Sequence, residues 1–279
     1  MELPRTLLLI LLLISRTASA QGQLAPSLPH PVFGESTPSS KVPITEEQRS
    51  LERRIARGTF TLHYVGGDSH PFSYAATGFL ASETLLFTNK HVVRDLLGED
   101  PIQASLAVIR SRIPTLTMRN PMTHEEIHPT ALAHCFKEID VCVLRLERIP
   151  LTDETGNPLF KPLFLRRNLT GMNEKNWLGL VGNSNAKGLQ ASSAHWAGKI
   201  GNYSILHCIP TSPLSSGGNS GSPVFDQEGQ VVAMDGYSLA LDSQCELRKD
   251  STGLAITTES ILELLQNEAP ELGSELLRQ

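Results

Sequence analysis

The feature that most constrains the fold is a series of short apolar runs separated by turn residues. Each run has the length of a strand, and the intervening segments are rich in Gly, Asn, Asp and Ser. Closely spaced short strands with turn signals are typical of an antiparallel barrel or sandwich. The predicted strand segments are Thr59–Val65, Ala75–Leu80, Thr84–Thr88, Gln103–Ile113, Thr130–Phe136, Val141–Leu146, Trp177–Val181, Ile205–Ile209, Val224–Phe225 and Val231–Met234. We therefore expect one all-β domain.

Helices are predicted only at the ends of this domain. Thr45 and Gln48 have the spacing of a capping box, so a short polar helix is expected from there to about Arg57. Thr258–Asn267 carries Leu and Ile at helical spacing and is predicted to be the last helix. The expected boundaries are 21–57 for a linker or pro-segment with the short helix, 58–267 for the domain and 268–279 for a tail.

The first twenty residues have the features of a secretory signal peptide. Arg5 precedes an unbroken apolar run from Leu7 to Ile14, and Ala18–Ala20 forms an A-x-A cleavage site. As a helix the apolar run rises about 12 Å, far short of a hydrocarbon core of ~30 Å. We expect cleavage after Ala20 and export to the periplasm or the medium, with no membrane association of the mature chain.

Composition narrows the function classes. The chain of 279 residues is 40% hydrophobic and 19% charged, as expected for a globular protein with a substantial core. Its net charge of −5 disfavours a surface dedicated to nucleic acid. Residues 21–44 contain five prolines among Ser, Gln and Gly, which predicts a linker or pro-segment without a core of its own.

The strongest chemical signal is Gly218–Pro223, with the sequence Gly-Asn-Ser-Gly-Ser-Pro. A serine nucleophile needs a tight turn that presents its Oγ and aims backbone N–H groups at the developing oxyanion. Gly217 and Gly218 permit backbone conformations that a Cβ would obstruct. Taken alone, the pattern also fits a glycine-rich hairpin turn.

Two further segments supply possible partners for this serine. His91 follows an apolar strand and precedes a short helical turn, while Asp140 stands at the head of a buried strand. A buried carboxylate is costly unless its hydrogen bonds are satisfied, and a histidine that becomes an imidazolium can do this. Taken alone, His91 is equally compatible with a hydrogen-bonded histidine in the core, and Asp140 with a carboxylate in a turn. The chain order His, Asp, Ser is that of chymotrypsin, not of subtilisin or the α/β-hydrolases.

The chain resembles the trypsin- and chymotrypsin-like serine endopeptidases, above all the bacterial-type branch with the HtrA proteases and glutamyl endopeptidases. The matching segments are Ala76–Leu80, Thr88–Val93, Asp140–Leu144, Gly218–Pro223 and Gly253–Ile256. The resemblance spans about residues 58–267. It implies an all-β, chymotrypsin-like fold of two six-stranded antiparallel β-barrels packed face to face.

The resemblance also implies a mechanism. Ser220 would be the nucleophile and His91 its general base, with Asp140 orienting the histidine. The backbone N–H groups of Gly218 and Ser220 would form the oxyanion hole. The implied activity is peptide-bond hydrolysis through an acyl-enzyme, on polypeptide substrates, with no metal or organic cofactor, and a monomer is favoured.

The sequence departs from the family pattern beside two of these residues. Lys90 stands before the histidine, where a small residue is common, and is expected to point outward. Asn219 precedes the serine where the animal trypsins have Asp, which disfavours activation by insertion of a new N-terminus. The residues after Asn267 are too few for a PDZ domain. Candidate positions for trimming of the 21–57 segment are Arg53, Arg54 and Arg57.

The resemblance places the primary specificity pocket beside the strand that follows the nucleophile. The substrate-binding residues expected from it are Leu214, Asp235, Gly236, Tyr237 and Ser238. Asp235 occupies the position of a histidine in glutamyl endopeptidases, so it disfavours an acidic side chain and could attract Arg or Lys. Asp235-Gly236 equally fits a simple turn.

Export makes the four cysteines candidates for disulfide bonds, and four cysteines allow three connectivities. Cys208 and Cys245 flank the expected pocket wall, and a bridge between them is predicted. Cys142, on the strand after Asp140, is expected to pack as a small apolar residue.

Two other classes of function remain alternatives. One is a zinc metallopeptidase, because residues 124–128 form an H-E-x-x-H motif with another histidine six residues further on. Prolines bracket the motif, so we expect only a single helical turn in a surface loop. The zinc-site residues would be His124, Glu125, His128 and His134. The other alternative is a non-catalytic binding protein on a protease scaffold.

Overall fold

The computed structural model describes residues 45–66, 73–186, 188–208, 218–238 and 252–277. The strands are Thr59–Val65 (β1), Ser73–Leu80 (β2), Leu85–Thr88 (β3), Thr117–Arg119 (β4), Glu126–Ile127 (β5), Pro129–Cys135 (β6), Cys142–Leu146 (β7), Trp177–Gly182 (β8), Gln190–Ile200 (β9), Tyr203–Cys208 (β10), Pro223–Phe225 (β11), Val231–Ser238 (β12) and Thr252–Thr257 (β13). The helices are Glu46–Ala56 (α1), Lys90–Leu97 (α2), Leu106–Arg112 (α3), Thr258–Glu268 (α4) and Pro270–Leu277 (α5).

The strands form two antiparallel sheets. The first is a seven-stranded sheet in the order β5-β4-β1-β2-β3-β7-β6, and the second is a closed six-stranded barrel in the order β10-β13-β12-β11-β8-β9. The expected all-β, chymotrypsin-like fold is therefore confirmed. The first sheet differs from the expected closed barrel because it has a seventh strand, β5, and its two outer strands do not pair with each other in the described part of the chain.

The two sheets pack face to face through one shared apolar core. Phe79 and Phe87 of the first sheet lie in the same cluster as Phe225, Met234 and other barrel residues, all fully buried. Apolar side chains on one face of each sheet are thereby removed from water, which stabilises the contact. The functional segments predicted from the sequence lie at this junction.

Helix α1 is part of the folded domain. Thr45 and Gln48 form the predicted capping box, and the helix buries Leu51 and Ile55 in the shared core. Arg54 donates a hydrogen bond to the carbonyl of Glu228 in the barrel. The domain therefore begins before residue 58, and trimming at any of Arg53, Arg54 and Arg57 would separate this helix from it.

Four secondary-structure expectations need correction. The predicted strand Gln103–Ile113 is mostly helix α3, because Ser105 caps it by accepting a hydrogen bond from the N–H of Val108. Strands β4, β5, β9 and β13 were not predicted; the Ser- and Ala-rich sequence of β9 lacks apolar alternation. The tail after residue 268 contains helix α5. The helical turn predicted at residues 124–128 is absent because His124 has a φ of 61° and the short strand β5 follows.

None of the helices in the described ranges is long and apolar enough to cross a membrane. The predicted signal peptide lies within residues 1–44, outside the described part of the chain.

Candidate active site

The His91 imidazole is held by the Asp140 carboxylate at the junction of the two sheets. Nδ1 of His91 lies 2.6 Å from Oδ2 of Asp140. The other carboxylate oxygen, Oδ1, accepts a hydrogen bond of 2.8 Å from the backbone N–H of His91. An ionised carboxylate only accepts hydrogen bonds, so the contact places the proton of the neutral ring on Nδ1, and Nε2 is the ring nitrogen that carries the lone pair.

The local sequence explains this geometry. His91 lies in the first turn of α2, directly after β3, where backbone N–H groups have no partner within the helix and an acidic group is favoured. Asn89, fully buried before this helix, donates from Nδ2 to the carbonyl of Asp140 at 2.8 Å. Asp140 is thus held in place through both its carboxylate and its backbone carbonyl.

The pKa of His91 responds to two opposing influences. Burial of the ring lowers the pKa, whereas the charge of Asp140 and its hydrogen bond raise it, and the net direction is upward. Asp140 is 5% exposed, so its charge is poorly screened by water. The imidazolium form of His91 is therefore stabilised, which is the property required of a base that holds a proton during a reaction.

The predicted nucleophile lies in a turn whose backbone only glycine can form. Gly218 and Gly221 have φ angles of 99° and 87°. A Cβ on Gly218 would collide with the carbonyl of Asn183, and one on Gly221 would collide with the carbonyl of Thr77. Ser220 is half-buried between these two glycines. The turn is therefore specified by steric exclusion on both sides of the serine.

Thr77, in β2 of the first sheet, fixes this turn to the rest of the site. Its N–H donates to the carbonyl of Ser220 at 2.9 Å, and its hydroxyl donates to the carbonyl of Gly218 at 2.7 Å. The same hydroxyl accepts a hydrogen bond of 2.9 Å from the N–H of Asn183, at the end of β8. Thr88, three residues before His91, donates to the carbonyl of Thr77 at 2.9 Å. One buried residue thus links the serine turn to the strand that directly precedes the histidine helix.

The strand after the serine turn lies directly beside it. Gly221 donates its N–H to the carbonyl of Asp235, and Asp235 donates its own to the carbonyl of Ser222, at 3.0 and 2.8 Å. A Cβ placed on Gly236 would lie 3.7 Å from Nδ2 of Asn89. Asp235 and Gly236 of β12 therefore border both the serine turn and the histidine segment.

The other expected substrate-binding residues are only partly described. The backbones of Tyr237 and Ser238 continue β12 and pair with Leu254 and Gly253 of β13. Leu214 lies outside the described residues. The Asp235 side chain is 2% exposed, and burial raises its pKa well above the ordinary value. It is therefore a strand residue and not the exposed carboxylate of a simple turn.

Lys90 does not face the imidazole. Its ammonium donates hydrogen bonds to the carbonyls of Phe136 and Lys137, at 2.9 and 3.1 Å. These carbonyls belong to the segment between β6 and β7 that also carries Asp140. Lys90, which departs from the family pattern, therefore holds this segment in place through two hydrogen bonds.

The same segment is closed by a disulfide bond between Cys135 and Cys142. Cys142 packs in the apolar core of the first sheet, as expected, but it is bonded to Cys135 and is not a free thiol. The two residues pair across β6 and β7, which brings their Cα atoms to 4.1 Å. The bond closes the loop that positions Asp140. The predicted partner of Cys208, Cys245, lies outside the described residues, so that bridge stays a prediction.

The H-E-x-x-H motif does not assemble a metal site. The left-handed backbone at His124 ends any helix there, and Nδ1 of His128 lies 3.0 Å from the carbonyl of Leu116. Nε2 of His134 lies 3.2 Å from a carboxylate oxygen of Glu268. Within the described ranges, no group of three or more His, Cys, Asp or Glu side chains could hold a metal ion.

Two residues that organise the site were not assigned a role from the sequence. Thr77 and Asn89 are both fully buried, with 0% of each residue exposed to solvent. A polar residue within a predicted buried strand, as Thr77 is, or directly after one, as Asn89 is, must find hydrogen-bond partners, and this was the available signal. Which partners it finds depends on contacts between distant parts of the chain.

Comparison with known proteins agrees with this architecture. Residues 76–234 match the family model of the trypsin-like peptidase domain. Among solved structures, the chain is similar to the HtrA-type protease AlgW with tripeptide (TM-score 0.56, 16% identity), covering 78% of this chain and 62% of AlgW. It is also similar to the serine endoprotease from Yersinia pestis (TM-score 0.56, 15% identity), covering 81% of this chain and 67% of the other. No curated protein sequence matches it.

The Thr77 contacts predict a specific loss of stability. Replacing Thr77 with Val keeps the shape but leaves the Asn183 N–H and the Gly218 carbonyl without their partner. We expect the free energy of unfolding to fall by about 3 kcal/mol, measured by urea denaturation. The matched control is Thr61→Val on the neighbouring strand, which removes the hydroxyl's bond to the carbonyl of Arg119 and its contact with Nε2 of the exposed His63, and should cost about 1 kcal/mol. Equal losses would contradict the proposed importance of Thr77.

The His91–Asp140 contact predicts the titration of the histidine. Histidine imidazole signals followed by NMR should give a His91 pKa above 6.5 in the native protein. In Asp140→Asn the largest remaining influence is burial, which lowers the pKa and is opposed only by the smaller effect of Asp95, so the pKa should fall below that value. Since the folded pKa is raised, the stabilisation from His91 is fully present below the unfolded pKa and is lost as pH rises through the folded pKa. An unchanged pKa in the variant would show that Asp140 does not control the imidazole.

Proposed function

Because the chain belongs to the trypsin-like peptidase family, we propose that it is a serine endopeptidase that uses Ser220, His91 and Asp140. The observation that carries this proposal is the contact of 2.6 Å between His91 Nδ1 and Asp140 Oδ2, beside a serine turn fixed by Thr77. The chain spans 62% of the length of AlgW and 67% of that of the Yersinia pestis endoprotease.

The proposed reaction begins with proton transfer from the Ser220 hydroxyl to Nε2 of His91. The serine Oγ then attacks the scissile carbonyl carbon and forms a tetrahedral intermediate. Asp140 holds the imidazole in the required tautomer and stabilises the imidazolium through its charge. His91 next gives the proton to the leaving amine, and the acyl-enzyme forms. A water molecule, deprotonated by His91, hydrolyses it.

The backbone N–H groups of Gly218 and Ser220 are proposed to bind the oxyanion. The positive φ of Gly218 supports this role, because the turn is held in a conformation that an L-residue rarely adopts. Donors fixed before the reaction need no reorganisation as negative charge develops, so they stabilise the transition state more than the substrate.

An extended polypeptide is the substrate form that the neighbouring strand can bind. Strand β12 pairs with β11 only as far as Met234, while its last residues continue to pair with β13 on the other edge. In the described part of the chain, no strand pairs with the other edge of Gly236–Ser238, and we propose this edge for strand addition. This edge runs beside Ser220, so a bound peptide would pass the nucleophile.

We also propose that the protein acts outside the cytoplasm. The charged start, apolar run and A-x-A site of residues 1–20 support export. The Cys135–Cys142 bond supports it independently, because disulfides persist mainly in oxidising compartments.

Hydrolysis of quenched fluorescent peptides tests the proposed function. Wild type should cleave internal peptide bonds, and Ser220→Ala should reduce cleavage to the uncatalysed background. Asp140→Asn should lower kcat by about 10⁴-fold, because the imidazole loses its orientation and charge partner. Chelation with EDTA should have no effect.

Two outcomes would overturn the proposal. Equal cleavage by wild type and Ser220→Ala would assign the activity to another site or a contaminant. Absence of turnover across a diverse peptide library, by protein shown to be folded, would favour the non-catalytic alternative.

A further inference from the structure

A groove lies where the segment that joins the two sheets meets the last two helices. It has a volume of about 270 Å³, and its walls include Leu163, Leu165, Leu262 and Leu276. This volume is just below the range of about 300–1,000 Å³ that is usual for small-molecule sites, so the groove has room for an amino-acid side chain and not for a large ligand. None of its lining residues belongs to the proposed catalytic site.

The groove presents apolar surface to solvent. Five large apolar side chains are exposed in the described part of the chain, and two of them, Phe164 and Leu277, line this groove. The Phe164 side chain is 54% exposed. Leu262 of α4 and Leu276 of α5 are only partly buried. Covering this surface would remove apolar area from water, which favours the binding of an apolar group there.

The backbone of Leu165 forms an open strand edge. Leu165 makes a parallel bridge with Val231, the first residue of β12. Arg166 donates its N–H to the carbonyl of Val231, and Val231 donates its own to the carbonyl of Phe164, both at 2.8 Å. In a parallel bridge of this kind the N–H and C=O of Leu165 itself point away from β12. Neither group forms a hydrogen bond with the described residues.

This open edge faces the groove. Leu163, two residues before Leu165, donates its N–H to the carbonyl of Leu80, and the next residue, Ala81, lines the groove. Since N–H groups two residues apart in an extended segment point the same way, the N–H of Leu165 is directed to this side. An extended peptide in the groove can therefore pair with Leu165 by strand addition.

The charged lining of the groove is entirely positive. Arg166 and Arg167 line it, and no acidic side chain does. The Arg166 guanidinium lies 2.7 Å from the carboxylate of Asp226 and is thereby neutralised. Arg167 is exposed and forms no ion pair or hydrogen bond with the described residues. Arg167 is therefore available to attract a carboxylate, on a chain whose net charge is −5.

We propose that this groove binds an extended acidic segment of a partner protein. The segment pairs with the backbone of Leu165 and places a carboxylate beside Arg167. A large apolar side chain of the segment fills the space between Leu262 and Leu276. A second copy of this chain is disfavoured as the occupant, because a symmetric contact through this face brings two Arg167 side chains together. The proposal concerns binding and does not depend on the peptidase function.

Short rhodamine-labelled peptides with blocked ends test the groove by fluorescence anisotropy. Two probes carry Phe and Asp separated by one Thr, which puts both on one face of a strand, in either order because a strand can add in either direction. The full chain with Ser220→Ala is used, so that no probe is cleaved. At least one probe should bind. Replacing its Phe with Ala should weaken binding about tenfold, and replacing its Asp with Asn about threefold.

Variants of the chain locate the bound peptide. Arg167→Glu should weaken binding of the Asp probe about tenfold and strengthen binding of a Lys-for-Asp probe by a similar factor, because the attraction is reversed. Arg110→Glu is the matched control, since Arg110 is exposed on α3 and does not line the groove. Its affinities should equal those of the unsubstituted groove. Binding should also slow hydrogen exchange of the Leu165 amide, the signature of strand addition.

Four results would overturn the proposal. The first is an absence of binding by either probe at about 1 mM. The second is equal binding after Arg167→Glu, which places the peptide elsewhere. The third is a dimer in sedimentation that Arg167→Glu dissociates, which assigns the groove to a second copy. The fourth is probe binding seen only after Glu35→Lys, which replaces the sole acidic residue of residues 21–44 and assigns the groove to that segment.

Discussion

The structure depends most on one buried threonine that joins the two sheets at the site. Thr77 uses its N–H, its carbonyl and its hydroxyl in four hydrogen bonds, which reach the serine turn, the end of β8 and the end of β3. Each hydrogen bond contributes only about 1 kcal/mol net to the free energy of unfolding. A buried donor or acceptor left without its hydrogen bond would cost more. The serine turn and the histidine segment are therefore fixed relative to each other by a local polar network within a larger apolar contact.

The buried charge at Asp140 is stabilised by several independent contacts. The Asp140 carboxylate contacts the imidazole Nδ1 and accepts a hydrogen bond from the backbone N–H of His91. The Asp140 carbonyl accepts a hydrogen bond from Asn89, and the Cys135–Cys142 disulfide closes the loop that carries Asp140. Asp235 is equally buried, yet its Oδ1 has no such partner among the described residues. This difference between the two buried carboxylates follows from their surroundings and not from residue type.

The sequence predicted much of this arrangement, for physical reasons that can be identified. Apolar runs of strand length located most strands, and the Thr45 capping box located helix α1. The segment that forms α3 was predicted to be a strand because it contains apolar and β-branched residues, but Ser105 caps a helix there. The roles of Thr77 and Asn89, and the Cys135–Cys142 pairing, were missed because each depends on contacts between strands. A single sequence shows which polar residues are buried, but not which partners they meet.

The most direct test of the account is the rate at which a fluorophosphonate modifies the native protein as pH is varied. We expect one adduct, on Ser220, with a rate that rises as His91 loses its proton and a midpoint above pH 6.5. In Asp140→Asn the rate should be at least about a hundredfold lower, because the base is no longer oriented. An equal rate in that variant, or modification of folded protein elsewhere than Ser220, would contradict activation of the serine by the His91–Asp140 pair.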